Sequence, residues 1–283
     1  MTTVAILGTG TIGEPIARNL ARAGFDVRVW NRTREKAEPL ADDGATVCDT
    51  AAEAARGAET VLTVLADADS IAETVEEVEF ADRAVWVQMA TVGVDGAERL
   101  AELAQEKGVA FVDAPVLGTR QPAEQAELVV LASGPDDALD RCEPVLDAIG
   151  QQTRRLGPVP NGSKLKMVTN LWLLAVTEGA AEAIALAEGL GLDPRDFLDT
   201  MEGSQIDTPY LHLKGEAMLE RKLDPSFKLE LAAKDSGLVL EAADRAGVEV
   251  RVARAVLEAF ERGIELGHGD KDMAAVYFAA KPD

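Results

Sequence analysis

Cysteine and histidine are scarce in this chain, with two of each among 283 residues. Cys48 and Cys142 are too few and too poorly patterned for a disulfide framework or a zinc site, and a reducing, cytoplasmic location is expected. His212 and His268 do not by themselves supply a metal site, and both are read as surface or partner-contact residues. No metal is expected. Basic charge is also short: 28 Lys and Arg stand against 50 Asp and Glu, a net charge of -22. Phosphates would be repelled over most of such a surface, which argues against nucleic acid as a partner. Of the 28 basic residues 18 are arginine, and the acidic excess along stretches such as Glu98, Glu102 and Glu106 suggests adaptation to high salt. A clean apolar run of membrane length is missing too. The most apolar stretch, residues 171–187, contains Glu178 and Glu182, so a buried helix is expected and no membrane span. Met1-Thr2-Thr3 leads straight into an apolar strand without a basic start, and no signal peptide is expected.

Alternating strand and helix patterns run to about residue 156, after which alanine- and leucine-rich helical periodicity takes over. The run Gly157-Pro158-Val159-Pro160-Asn161-Gly162 reads as a hinge, giving an α/β domain over 1–160 and an all-helical one over 161–283. Strands are expected at 4–7, 27–30, 46–47, 60–65, 84–88, 109–112, 128–131 and 153–156. Helices are expected at 34–42, 93–107, 136–149 and from 163 to about 190.

The first strand runs directly into Gly8-Thr9-Gly10-Thr11-Ile12-Gly13 and then an amphipathic helix. A dinucleotide pyrophosphate needs that order: Gly8 for the tight turn, Gly10 for close approach of backbone amides, Gly13 for packing of helix on sheet. The positive helix start then faces the anion. The second strand should end beside the adenosine ribose, where a carboxylate would repel a 2′-phosphate. Asn31-Arg32-Thr33-Arg34 stands there instead, with Lys36 behind, which predicts NADP(H) over NAD(H). Ligands sit beyond the carboxyl ends of parallel strands, which gathers Leu65, Ala66 and Asp67, the segment Met89-Ala90-Thr91, and Asp113 to Thr119 around one crevice. Lys166 and Asn170 share one face of the long helix. A lysine there can protonate a carbonyl oxygen as hydride reaches its carbon, favoured by desolvation and the positive helix start, with Asn170 orienting it. From spacing alone a solvated helix face is the preferred reading of this pair. Trp172, among leucines on the same helix, is read as core or subunit contact.

The glycine fingerprint, Asp113-Ala114-Pro115-Val116, Gly162 with Lys166, Lys234-Asp235 and the C-terminal segment Gly267 to Met273 together resemble the β-hydroxyacid dehydrogenases over essentially the whole chain. The resemblance implies a Rossmann N-terminal domain and an all-α C-terminal domain, as in 6-phosphogluconate dehydrogenase. It implies an NADP-dependent oxidoreductase acting on a small aldehyde, ketone or β-hydroxy acid. Lys166 would be the catalytic acid and base, assisted by Asn170. Lys234 and Thr91 would contact the cofactor, Thr91 near the nicotinamide, and Leu117, Gly118 and Thr119 would match the loop that holds the substrate's acid group. A homodimer or homotetramer is implied as well. Departures fall at Ala90 and Leu117, where the family usually has serine, and at Thr119, where it has glycine. Arg120-Gln121-Pro122-Ala123-Glu124 is closer to the glyoxylate and succinic semialdehyde reductase branch. Two other readings stand beside this one. An imine reductase of the same fold would tolerate Leu117 but ordinarily replaces the lysine, and a non-catalytic NADP-binding module should have lost it.

Overall fold

The computed structural model describes residues 1–281. Two compact units divide the chain, Met1–Lys166 and Met167–Asp283. The first is built on six parallel strands: β1 (Thr3–Leu7), β2 (Asp26–Trp30), β3 (Thr46–Val47), β4 (Thr60–Thr63), β5 (Val85–Gln88) and β6 (Ala110–Asp113). Their order is β3-β2-β1-β4-β5-β6, so the strand order reverses at β1, where β2 and β4 flank it. Successive side chains alternate between faces, and both faces are apolar. Val4, Ile6, Val85 and Val87 join one core cluster with Ile16 and Leu20 of α1 (Gly13–Arg22). Ala5, Leu7 and Trp86 join the other, under α2 (Ala51–Ala55), α3 (Ala68–Glu76) and α4 (Gly93–Glu106). Trp86 is completely buried, and its indole N–H donates to the Thr63 hydroxyl at 3.0 Å.

One local expectation changes. The helix expected over 34–42 is instead two short 3₁₀ turns, Arg34–Lys36 and Glu38–Ala41. Pro39 lacks the N–H and crowds the preceding turn, which disfavours one continuous α-helix over this segment. The last strands do not extend the parallel sheet. β7 (Val116–Leu117), β8 (Leu128–Ala132) and β9 (Gly150–Arg155) form a separate three-stranded sheet, with β7 antiparallel and β9 parallel to β8. A single antiparallel bridge, Asp113 to Ser133, ties this sheet to the end of β6. Between β7 and β9 run α5 (Arg120–Glu124) and α6 (Asp136–Asp147).

α7 (Asn161–Gly189) starts in the first unit, and the division between the units falls inside it. The second unit continues with α8 (Pro194–Met201), α9 (Pro209–Glu220), α10 (Leu229–Ala246), α11 (Arg251–Gly263) and α12 (Tyr277–Ala280) around Ile184, Leu198, Met218 and Phe260. Thr208 caps α9 by accepting from Leu211 N–H, and Gly247 ends α10 at φ 68°. A buried ion pair, Lys214 to Asp272 at 2.7 Å, is completed by the Ser226 hydroxyl and by backbone N–H groups of Ser226 and Ala274.

Candidate active site

Gly8 has φ +111°, and a Cβ on it would overlap the Val64 carbonyl oxygen. A Cβ on Gly13 would overlap the carbonyl oxygen of Gly8. These two glycines are therefore fixed by packing of loop, helix and sheet. Gly10 differs: a Cβ there would meet nothing within 4 Å. The missing side chain leaves open space beside the loop at the start of α1, which fits close approach of a dinucleotide pyrophosphate. Thr9 is buried and Thr11 exposed, with half-buried Ile12 packed against the core.

Asn31 has a role the sequence reading missed. Its Oδ1 accepts from the Thr9 N–H at 3.1 Å and its Nδ2 donates to the Thr33 carbonyl at 2.9 Å. It braces the glycine loop from the end of β2. Arg34 is engaged by Asp49 and Glu38. Arg32 is exposed at the same strand end and makes no ion pair among the described residues.

The other predicted residues of the first unit follow strand ends. Leu65 and Ala66 come after β4, half-buried and exposed respectively, and half-buried Thr91 comes after β5. Gly118 follows β7 at φ +125°, with Thr119 half-buried beside it. A Cβ on Gly118 would press on Leu128 and Pro122, so this loop is shaped by glycine. Lys166 is 9% exposed, and its Nζ donates to the Val116 carbonyl at 2.9 Å. The solvated-face reading of Lys166 therefore does not hold. One segment, Asp113 to Thr119, supplies both this carbonyl and the Gly118 loop.

Asp113 is the densest polar node of the unit. Buried and at the end of β6, it accepts from Ser163 N–H at 2.7 Å, Ser163 Oγ at 2.8 Å and Ser133 Oγ at 3.3 Å. Burial pushes its carboxyl pKa up to about 6, against the lowering effect of these hydrogen bonds.

In the second unit Asn170 is 1% exposed, and its Nδ2 donates to Asp235 Oδ2 at 2.9 Å. Its Oδ1 is buried without a hydrogen-bond partner. The other oxygen of Asp235 pairs with Lys234 Nζ at 3.0 Å. Asp235 is buried, so this pair is more than the surface contact that sequence adjacency suggests. Trp172 is 66% exposed, which removes the core half of its reading.

Comparison with known proteins gives the family and the fold. The family model for the NAD binding domain of 6-phosphogluconate dehydrogenase matches residues 3–157. The model described as NAD-binding of NADP-dependent 3-hydroxyisobutyrate dehydrogenase matches residues 161–279. An uncharacterized oxidoreductase of Bacillus subtilis is 35% identical over 96% of this chain and 98% of its own length. Glyoxylate/succinic semialdehyde reductase 1 of Arabidopsis thaliana is 32% identical over 98% of each chain. The crystal structure of 3-hydroxyisobutyrate dehydrogenase from Salmonella typhimurium superposes with a TM-score of 0.89 at 25% identity, covering 98% of this chain and 99% of that one. The chain belongs to the β-hydroxyacid dehydrogenase family. It is a nicotinamide-dependent oxidoreductase with a Rossmann-type N-terminal domain and a helical C-terminal domain.

Proposed function

We propose that this chain interconverts a small carboxylate-bearing aldehyde or ketone with its alcohol, that it prefers NADP(H), and that Lys166 is the general acid and base. The observation that carries the reading is the buried Lys166 ammonium held on Val116 O at 2.9 Å, in the same segment as the Gly118 loop. When bound, the nicotinamide supplies or accepts the hydride. Lys166 gives its proton to the carbonyl oxygen as negative charge grows there, and takes it back in the alcohol-oxidising direction. The family resemblance implies that Asn170, one turn further along α7, would assist it and that Lys234 would contact the cofactor. Thr91 would contact the cofactor near the nicotinamide, while Gly118 and Thr119 would receive the substrate's acid group. Ala90 and Leu117 remove two hydroxyl donors, which favours a substrate with an apolar portion. The Arg120-Gln121-Pro122-Ala123-Glu124 segment points toward glyoxylate or succinic semialdehyde.

Three features support NADP(H). No acidic side chain follows Trp30 directly, Arg32 makes no ion pair among the described residues, and Asn31 holds the loop without adding negative charge. Charge-assisted bonds to a 2′-phosphate would give NADPH roughly a 10- to 100-fold advantage in kcat/KM. The test is the initial rate of nicotinamide oxidation with glyoxylate and succinic semialdehyde, with either coenzyme, for wild type and Arg32→Ala. Wild type should favour NADPH, and the variant should bring the ratio toward one. Equal or better use of NADH removes the coenzyme assignment, and turnover of cyclic imines without any carbonyl substrate replaces the reaction.

We further propose a cytoplasmic homodimer or homotetramer in which α7 contributes a subunit contact. α7 is long and apolar enough by composition to cross a bilayer. Its buried Ser163, Asn170, Thr177 and Glu178 support a core helix instead.

A further inference from the structure

The first amide groups of α7 have no acceptor within the helix. Asn161 N–H and Lys164 N–H turn back to the carbonyls of Pro158 and Pro160, at 3.0 and 2.9 Å. The two between them leave the helix altogether. Gly162 N–H donates to Ser133 Oγ at 2.9 Å, and Ser163 N–H donates to Asp113 Oδ2 at 2.7 Å. Ser163 Oγ adds a bond to Asp113 Oδ1 at 2.8 Å. Gln88 Nε2, at 3.4 Å, supports the same oxygen from the end of β5. Every one of these side chains is buried. The backbones are equally close, since a Cβ on Gly162 would overlap the carbonyl oxygens of Leu131 and Asp113.

An ordinary N-cap is supplied by the residue just before the helix and stabilises its first turn. This cap comes instead from the end of β6 and the residue after β8. It therefore fixes how the first turn is rotated about the helix axis relative to the sheet. Lys166 lies on the same face as Ser163, one turn on, and the carbonyl that holds its Nζ belongs to the chain leaving Asp113.

We infer that Asp113, acting with Ser133, is a positioning residue that sets the direction of Lys166 by capping α7 from the sheet. The inference rests on the reading of Lys166 as the proton donor. Asp113 does not touch substrate. Its loss lets the first turn rotate and moves Nζ off the line to the reacting oxygen, and a displacement of about 1 Å costs on the order of a hundredfold in turnover.

A double-mutant cycle on the full-length enzyme tests it, using Asp113→Ala, Lys166→Ala and the pair, with Ser163→Ala as the milder variant should Asp113→Ala not fold. In the Lys166 background, Asp113→Ala should lower kcat roughly a hundredfold with Kd for NADPH within about twofold of wild type, and Ser163→Ala should lower it roughly tenfold. Asp113→Asn, which keeps an acceptor for Ser163 N–H, should recover most of the loss. In the Lys166→Ala background the same changes should cost nothing further. A loss of equal size in both backgrounds overturns the inference, as does wild-type kcat in Asp113→Ala or, if that variant does not fold, in Ser163→Ala. Failure of the Lys166 reading is separate, since it appears as near-normal kcat in the Lys166→Ala single variant.

Discussion

Glu178 is 8% exposed, in the middle of α7, with its Oε2 lacking a hydrogen-bond partner. Burial, reinforced by the charge of Glu182, pushes its pKa from 4.5 up to about 8. The folded chain thus holds a proton that the unfolded chain releases between those values. Stability from this group falls as pH climbs through the window, and above about 8 the full cost of a buried charge remains. Asp113 acts in the same direction between 3.8 and about 6. Glu178→Gln is neutral at every pH and removes the Glu178 part. Its Tm relative to wild type should be higher at about pH 9 than at about pH 5, by on the order of 5 °C. An equal Tm difference at both pH values would contradict the burial argument. At this scale the sequence was partly legible. The packing roles of Gly8 and Gly13 were legible because they are local to one turn. Asn31 was singled out for the coenzyme, but its brace on the glycine loop was hidden, because its partner Thr9 lies on the loop after the neighbouring strand β1.

α7 also carries an outward stripe of large apolar side chains, with Val168 63%, Trp172 66% and Leu186 62% exposed. Just past its end Leu190 and Leu192 are 69% and 58% exposed. Exposed apolar side chains spaced along one helix suit an interaction face, and the proposed occupant is a second copy of the same chain. Wild type should scatter light as a multiple of the 30.0 kDa chain, and Trp172→Asp should shift it toward that single-chain mass. A wild-type enzyme already at 30.0 kDa would contradict the subunit contact. Elements whose signal is local were readable: the β1 strand, α1, the 14-residue α4 and the 29-residue α7 all follow from periodicity and flanking turn residues. Pairing was not readable. An apolar run such as Leu128-Val129-Val130-Leu131 looks the same whether it joins the main sheet or a small sheet of its own, because its hydrogen-bond partners come from distant parts of the chain. The same non-locality hid the cap on α7, whose acceptors lie on Asp113 and Ser133.

The whole molecule is dominated by its charge of -22. Arginines are paired across its surface, Arg18 with Asp43 at 2.8 Å, Arg155 with Asp140 at 2.7 Å and Arg195 with Glu216 at 3.0 Å. Each exposed pair contributes little, and the acidic excess remains as self-repulsion that salt would screen. Tm should therefore rise by about 5 °C or more between dilute buffer and roughly 2 M KCl. A maximum in dilute buffer would remove the proposed adaptation to salt. On the proposed reading, what the molecule does as a whole reduces to one proton delivered where hydride arrives. The most direct test is the single-turnover rate of NADPH oxidation with saturating carbonyl substrate, comparing wild type with Lys166→Ala. The account predicts a fall of roughly 100- to 10,000-fold with NADPH affinity little changed, and a variant rate within a few-fold of wild type would contradict it.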